Sequence, residues 1–500
     1  MKLKKNSIKI IFGLKLKQIR QDKGLSLSEL ATKSNMSISY LNEIESGKKY
    51  PKTDKIASLS EALEVSYDSL VSIKLTKYLS PIGELLESNI LEQLPLDHYG
   101  IDINKLIVLM SHAPMQLSAL VATLIELAKS SEMSRSAFSR TALRIYKELN
   151  NNYFPKIEKG VDNFIKKFKL ETSSPISYDK LKNILTNEFN YRIDENSLNS
   201  FNALKELRAT VQTGDPNVLF LNNNLSISQK SFIVGKELAY NFLQLKDRSY
   251  SYSNYKLDTF EQLLNNFNAS YFSTALKLEK NLFLKDIKAF FSQKKWDQKY
   301  LLALLNKYNA SPEMFFQRLT NLVGKYLDIH KFFFLRFNKN LQSEVYQLSK
   351  EVRLNLNRNP GGYQTNEHYC RRWISINVLK NLEQKLQGNT NYKNKVAGIL
   401  RSKFFESNDK FLCISVAKLS QFLPDKMTSV TLGFFVDDKL KKQIKFLNDP
   451  KIEDRIVNDT CEKCAIEDCK QRVSPPLSIK QNEKLIEMEN AIKQLKTISA

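Results

Sequence analysis

The sequence predicts a multidomain, mainly α chain with α+β regulatory domains. Three observations carry this expectation. At 500 residues the chain exceeds what one hydrophobic core accommodates. Its first 75 residues read as short, capped helices. Strand-like runs at 208–213, 217–221 and 331–337 then lie among long helical patterns. With 42% hydrophobic and 26% charged residues, the composition is that of a globular protein. No apolar run reaches the ~18 residues of a membrane span, so no membrane partner is expected. Residues 1–12 lack the apolar core and cleavage site of a secretory signal. Five cysteines are too few for a disulfide scaffold, which points to the reducing cytoplasm.

The balance of 76 Lys+Arg against 53 Asp+Glu gives a net charge of +23. Such a field favours polyanions, nucleic acid first. Residues 1–75 hold 14 basic and 8 acidic side chains, so the excess is spread along the chain. The organisation expected is a five-helix helix-turn-helix domain over 1–75 and a helical linker and dimerisation region over 76–170. An α+β domain follows over 171–330, then a C-terminal α/β cysteine domain over 331–479 and a charged amphipathic helix over 480–500.

The sharpest signal lies between residues 16 and 47. Gly24 ends a first helix, and Ser26-Leu-Ser-Glu29 is a capping box opening a second. Asn35 and Met36 make a turn, and Ser37 caps a third helix. On that helix Leu41 and Ile44 fall on one side and face the core. Ser39, Asn42, Glu43 and Ser46 point the other way, with Ile38 and Tyr40 on the flanks. A short helix with a small polar face suits the major groove: Asn pairs with an adenine edge, Glu accepts from cytosine, and Ile38 meets a thymine methyl. Ile38, Ser39, Asn42 and Glu43 are therefore the expected base readers, and Ser26, Ser46, Lys48, Lys49 and Lys52 the expected phosphate contacts. The structural alternative is a small helical bundle used for protein contacts. These residues, with the Glu45-x-Gly47 ending, resemble the Cro/repressor-type (XRE) helix-turn-helix family across about 12–70. The resemblance implies an ion pair between Arg20 and Glu45.

In the middle segment, 232–240 (Phe-Ile-Val-Gly-Lys-Glu-Leu-Ala-Tyr) follows a strand and resembles the metal-binding helix of IrrE/ImmA-type metallopeptidase domains. A zinc peptidase needs two imidazoles one turn apart and a Glu between them. Glu237 is kept, but the ligand positions hold Lys236 and Tyr240, and the third, an acid on the next helix, corresponds to Asn268. The expectation is a retained fold without hydrolysis, its Lys–Glu–Tyr arrangement being either a structural ion pair or part of a small-molecule site.

Near the C-terminus, Cys461-x2-Cys464-x4-Cys469 has the spacing of a metal knuckle. A fourth ligand is needed, with Cys370, His368 and Cys413 as candidates; Cys413 reads as a buried strand cysteine. Together with 151–158, 311–316 and 367–372, these features make nearly the whole chain resemble the short-chain fatty acid (propionate-type) transcriptional regulators. That resemblance implies a 4Fe–4S cluster on Cys370, Cys461, Cys464 and Cys469, and an acyl-CoA effector. Zinc on the same four thiolates, or free thiols, stay open. An acyl chain needs an apolar tunnel, which the Phe-rich span 315–337 would supply unless those rings are ordinary core. The expected function is a cytoplasmic, non-enzymatic regulator that binds double-stranded DNA as a homodimer. The rivals are an IrrE-like peptidase acting on a repressor, and a DNA-binding protein whose remainder is a protein-interaction scaffold.

Overall fold

The computed structural model describes residues 5–72, 135–252, 259–354, 356, 368–388, 395–423 and 425–498. The chain divides into two compact units, Met1–Tyr146 with Leu257–Leu263, and Lys147–Lys256 with Leu264–Ala500. Most of the expected linker and dimerisation region, 73–134, lies outside the described residues.

The first unit opens with five helices: α1 (Lys5–Asp22), α2 (Leu27–Ser34), α3 (Ile38–Glu45), α4 (Thr53–Ala62) and α5 (Tyr67–Val71). The last four, of 5 to 10 residues, are too short to be stable alone, so a shared core must hold them. Phe12 and Leu16 of α1, Leu30 of α2, Leu41 and Ile44 of α3, Ile56 and Leu59 of α4 and Leu70 of α5 form it. The helix α1 lies so close to the end of α3 that a Cβ on Gly13 would sit 2.3 Å from the Ile44 carbonyl oxygen. Only glycine permits that approach.

The second unit contains α6 (Pro155–Lys167), α7 (Tyr178–Phe189), β1 (Tyr191–Asp194), β2 (Ala209–Gln212), β3 (Asn217–Leu221) and α8 (Ile227–Phe242). The strands form a small sheet in the order β1-β3-β2, with β1 parallel and β2 antiparallel to β3; α7 packs on α8. Next come α9 (Phe260–Lys277), which belongs to this unit from residue 264 onward, α10 (Lys280–Phe291), α11 (Gln298–Lys307) and α12 (Pro312–Leu327). A buried ion pair ties α6 to α12. Arg318 Nη1 donates to Glu158 Oε1 at 2.5 Å, and Tyr271 donates to the same oxygen at 2.7 Å.

The rest of the unit is built on a six-stranded sheet: β4 (Phe332–Asn340), β5 (Gln347–Leu354), β6 (Val396–Phe404), β7 (Lys410–Leu419), β8 (Lys426–Phe435) and β9 (Asp454–Val457), with α13 (Ile374–Gly388) between β5 and β6. The order is β5-β4-β8-β7-β6-β9. The sequence reading as α/β is corrected here. Every neighbouring pair is antiparallel except β6 with β9, so the architecture is α+β. The physical reason lies in the connections: short loops join β6 to β7 and β7 to β8, and a parallel pair would need a long crossover.

Both sheet faces are covered, which explains the nearly continuous apolar run in β4. Phe332 and Phe334 enter a core with α10–α12, while Phe333, Leu335 and Phe337 enter another with α13. A Cβ on Gly433 of β8 would fall 2.2 Å from the Phe333 ring, so that ring packs flat over the strand. The first core also contains Phe315 and Phe316 and runs across the 330/331 position, where the sequence pattern changes. The phenylalanine rings of 315–337 are packed core. No helix among the described residues is long and apolar enough to cross a membrane. The chain ends in α14 (Leu477–Ile498).

Candidate nucleic-acid interface

The geometry of α3 follows from its caps. Ser26 Oγ accepts from the Glu29 amide at 3.1 Å and Glu29 Oε2 accepts from the Ser26 amide at 2.7 Å, which opens α2. Asn35 takes a left-handed conformation, φ 53°, and turns the chain. Ser37 Oγ then accepts from the Tyr40 amide at 3.2 Å and starts α3. Leu41 and Ile44 are fully buried. With that stripe inward, Ile38, Ser39 and Asn42 are exposed on the opposite face.

A two-pronged ion pair holds the far end of α3. Arg20 Nε donates to Glu45 Oε1 at 2.7 Å and Nη2 to Oε2 at 2.9 Å, while Nη1 reaches the Leu25 carbonyl at 2.7 Å. One guanidinium thereby fixes α1, the loop before α2 and the end of α3. Arg is suited to this role because its planar fork matches a carboxylate.

The surrounding cations sit where the fold leaves helix ends. Ser46 ends α3 and donates to the Glu43 carbonyl at 3.2 Å. The amides of Lys48 and Lys49 donate to that same carbonyl at 2.9 and 3.1 Å, and Lys52 stands at the start of α4. Ser26, Lys48, Lys49 and Lys52 are exposed. Without DNA, two of the expected contact residues engage each other: Lys49 Nζ lies 2.7 Å from Glu43 Oε2 and 5.6 Å from the centre of the Tyr40 ring. The hydrogen bond to Glu43 raises the Lys49 pKa. The two side chains engage each other across the end of the helix.

In the second unit, Glu237 is fully buried on α8 and its carboxylate is saturated. Arg248 donates from Nη1 to Oε2 at 2.8 Å and from Nη2 to Oε1 at 2.5 Å, Tyr191 donates to Oε2 at 3.1 Å, and Tyr252 donates to Oε1. Lys236 Nζ donates to Asn266 Oδ1 at 2.6 Å and lies 4.5 Å from the Tyr252 ring centre. Tyr240 OH donates to the same Asn266 oxygen at 3.4 Å. The residue of α9 that joins Lys236 and Tyr240 is therefore Asn266, and Asn268 is replaced in that role. A carboxylate with every lone pair occupied is not poised to activate water.

Around Lys236 the charge is lopsided. Burial pushes its ammonium down to about 7, against the pull of Glu237, and Arg248, Arg208 and Lys350 repel it. Burial and Lys350 likewise push Lys147 to about 7, and burial and Lys395 push Lys418 to about 8. Glu313 is the acid set among Lys350, Arg336, Arg208 and Lys418. Lys350 Nζ and Arg336 Nη1 each lie 3.1 Å from it. Burial opposes its charge, yet Lys350, Arg336 and Arg208 together hold its carboxyl down to about 2. Arg336 Nε is buried without a hydrogen-bond partner. Sequence reading missed this cluster, because its members are separated by tens of residues and converge only through the fold.

At the cysteine segment, backbone pairing draws distant stretches together. Cys370 N donates to Asp459 O at 3.0 Å and Cys461 N to His368 O at 2.8 Å. Arg472 clasps the loop, donating to the carbonyls of Cys461, Cys464 and Ile466 at 2.9, 3.0 and 2.6 Å. Cys370, Cys461 and Cys464 are buried, and Cys469 is half-buried. Burial pushes the Cys370 thiol up to about 11, with Cys464 and Cys461 adding to the shift. His368 Nδ1 is 2.8 Å from Glu462 Oε1, a contact that leaves Nε2 as the nitrogen available to a metal. Cys413 lies in β7, its thiol pushed by burial to about 12. Among the described residues no three His, Cys, Asp or Glu side chains stand together in metal-binding geometry.

Comparison with known proteins bears on the first unit. Residues 16–70 match the helix-turn-helix family model. Over 61 residues the chain is 38% identical to the HTH-type transcriptional repressor RghR of Bacillus subtilis (strain 168), a stretch that takes in 12% of this chain and 45% of that protein. The chain thus spans less than half of that relative's length. Among solved structures, a Mycobacterium tuberculosis transcriptional regulator aligns with a TM-score of 0.45 and 16% identity, covering 66% of this chain and 92% of that one. The restriction-modification controller protein C.AhdI from Aeromonas hydrophila aligns at 32% identity and a TM-score of 0.12, covering 12% of this chain and 94% of that one. Residues 16–70 are a helix-turn-helix domain.

Proposed function

We propose that this chain is a sequence-specific DNA-binding transcription regulator of the cytoplasm, acting as a homodimer, and that α3 is its reading helix. The observation that carries the proposal is the two-sidedness of α3: Leu41 and Ile44 are sealed in the core, while Ile38, Ser39 and Asn42 face outward. Small polar side chains on a rigidly held helix suit base edges, and flanking lysines suit phosphates. A single domain of this size makes few contacts, so two copies would dock on half-sites one helical turn, or a multiple of it, apart. The test is selection of bound sequences from a random duplex pool by the full chain. A recovered inverted repeat supports the proposal; recovery of unrelated sequences refutes it.

The second unit is proposed to sense a metabolite in the manner of short-chain fatty acid regulators. Support comes from the cations set about Glu313, namely Lys350, Arg336, Arg208 and Lys418, two of which, Arg208 and Lys350, also repel Lys236. Such a surplus favours a phosphate-bearing ligand such as an acyl-CoA. An effector regulates only if it binds two states of the protein unequally, so an acyl-CoA must change operator affinity as well as bind. Cys370, Cys461, Cys464 and Cys469 are the residues proposed to hold a 4Fe–4S cluster, or zinc as the alternative. The donor chemistry supports this, since buried thiols are costly to ionise alone and a bound soft metal reverses that cost; the thiolates would have to draw together to hold it, because among the described residues they are not gathered in metal-binding geometry. The peptidase rival is disfavoured by the saturation of Glu237 and by Lys236 and Tyr240 at the ligand positions.

A further inference from the structure

We infer that α14 zips with the α14 of a second copy into a short parallel two-stranded coiled coil. This rests on the dimeric reading above and names the surface that serves it. The helix follows Pro475 and Pro476 and runs 22 residues, about 33 Å at 1.5 Å per residue. Along it Leu485, Met488 and Ile492 are 56, 54 and 50% exposed, and neighbouring Ile486 is 57% exposed. Among the described residues this row of large apolar side chains has no partner, as on a helix face left to solvent.

The occupant follows from spacing and charge. Leu485, Met488 and Ile492 stand three and four residues apart, and the sequence continues that register at Leu495. These are the a, d, a and d positions of a seam that needs an identical seam opposite. In the same register Lys484 takes the g position and Glu489 the following e position. In a parallel pair, g faces the partner's next e, so Lys484 meets the partner's Glu489, and two-fold symmetry repeats the contact. An antiparallel pair with the same core layers would set Glu489 against the partner's Glu489, a like-charge contact. Spacing and charge therefore both select a second copy running in the same direction.

The test uses the full chain without DNA. Sedimentation equilibrium is expected to show a dimer whose dissociation constant rises at least tenfold in Leu485→Asn/Ile492→Asn. Lys484→Glu should weaken the dimer severalfold, and adding Glu489→Lys should restore it. Because these side chains are exposed, circular dichroism should be unchanged in every variant. Met488→Cys should cross-link to its counterpart under mild oxidation, where the unsubstituted chain does not. A monomeric wild type, or a dimer insensitive to Leu485→Asn/Ile492→Asn, overturns the inference. A dimer that fails to cross-link through Met488→Cys overturns the parallel arrangement. Sedimentation reads the coil without DNA, and half-site binding reads the helix-turn-helix domain without the coil, so the two proposals fail separately.

Discussion

At the scale of single residues, the contacts sort into those that position and those that specify. Lys49 is expected to act on phosphate once it leaves Glu43, so Lys49→Ala should weaken binding to all sequences alike. It should also lower the salt slope of affinity by about one. A titration of affinity against salt concentration checks this. Lys236 offers a second test, with its sign set by burial. Below about pH 7 both folded and unfolded chains hold its proton, and the cost of the buried charge is complete. From 7 up to the ordinary lysine range near 10.5 the unfolded chain alone keeps the proton, so stability climbs with pH. Lys236→Met is therefore expected to raise stability at pH 7 by about 1 kcal/mol or more, with the gain shrinking toward pH 10. Thermal unfolding across pH measures it. The inward Leu41 and Ile44 and outward Ser39 and Asn42 are legible in sequence because a 3.6-residue period fixes the faces of a helix. The Glu43–Lys49 pair is not, since it spans a helix end and a turn. Asn266 and Asn268 differ by about 200° around α9, so a motif offset of two residues moves the side chain to the other face.

At the scale of elements, α3 is held by its neighbours, and two substitutions should show it. Arg20→Met leaves the carboxylate of Glu45 half-buried without its partner, and the helix-turn-helix transition is expected to lose about 2–4 kcal/mol. Gly13→Ala forces a methyl group into the carbonyls of Ile44 and Glu45. It should cost about 1–3 kcal/mol by overpacking and weaken DNA binding by shifting α3. Denaturant melts of the full chain, followed by a probe placed in residues 5–72, measure both. The capping box of α2 and the apolar run of β4 were readable from residue order. The pairing of the large sheet was not. An apolar run says that a strand is covered on both faces, while loops and the positions of α12 and α13 decide which strands meet and in which direction.

At the scale of the whole molecule, a helix-turn-helix domain shares one chain with a larger unit in which Lys350, Arg336 and Arg208 crowd one acid, Glu313, and four cysteines are buried. Anaerobic purification is expected to give a brown protein whose iron and sulfide are lost on Cys370→Ser; a colourless protein with one zinc would make the cysteine loop a structural knuckle. The architecture of the second unit was only coarsely legible, because the cluster around Lys236 and Glu313 assembles from α8, α12, β4, β5 and β7. The central claim, that α3 reads bases, is tested most directly by Asn42→Ala. Affinity of wild type and variant is measured across operators in which each base pair is changed singly. Discrimination worth about 1–3 kcal/mol is expected to disappear at one position per half-site and persist at the others. Discrimination unchanged at every position would contradict it.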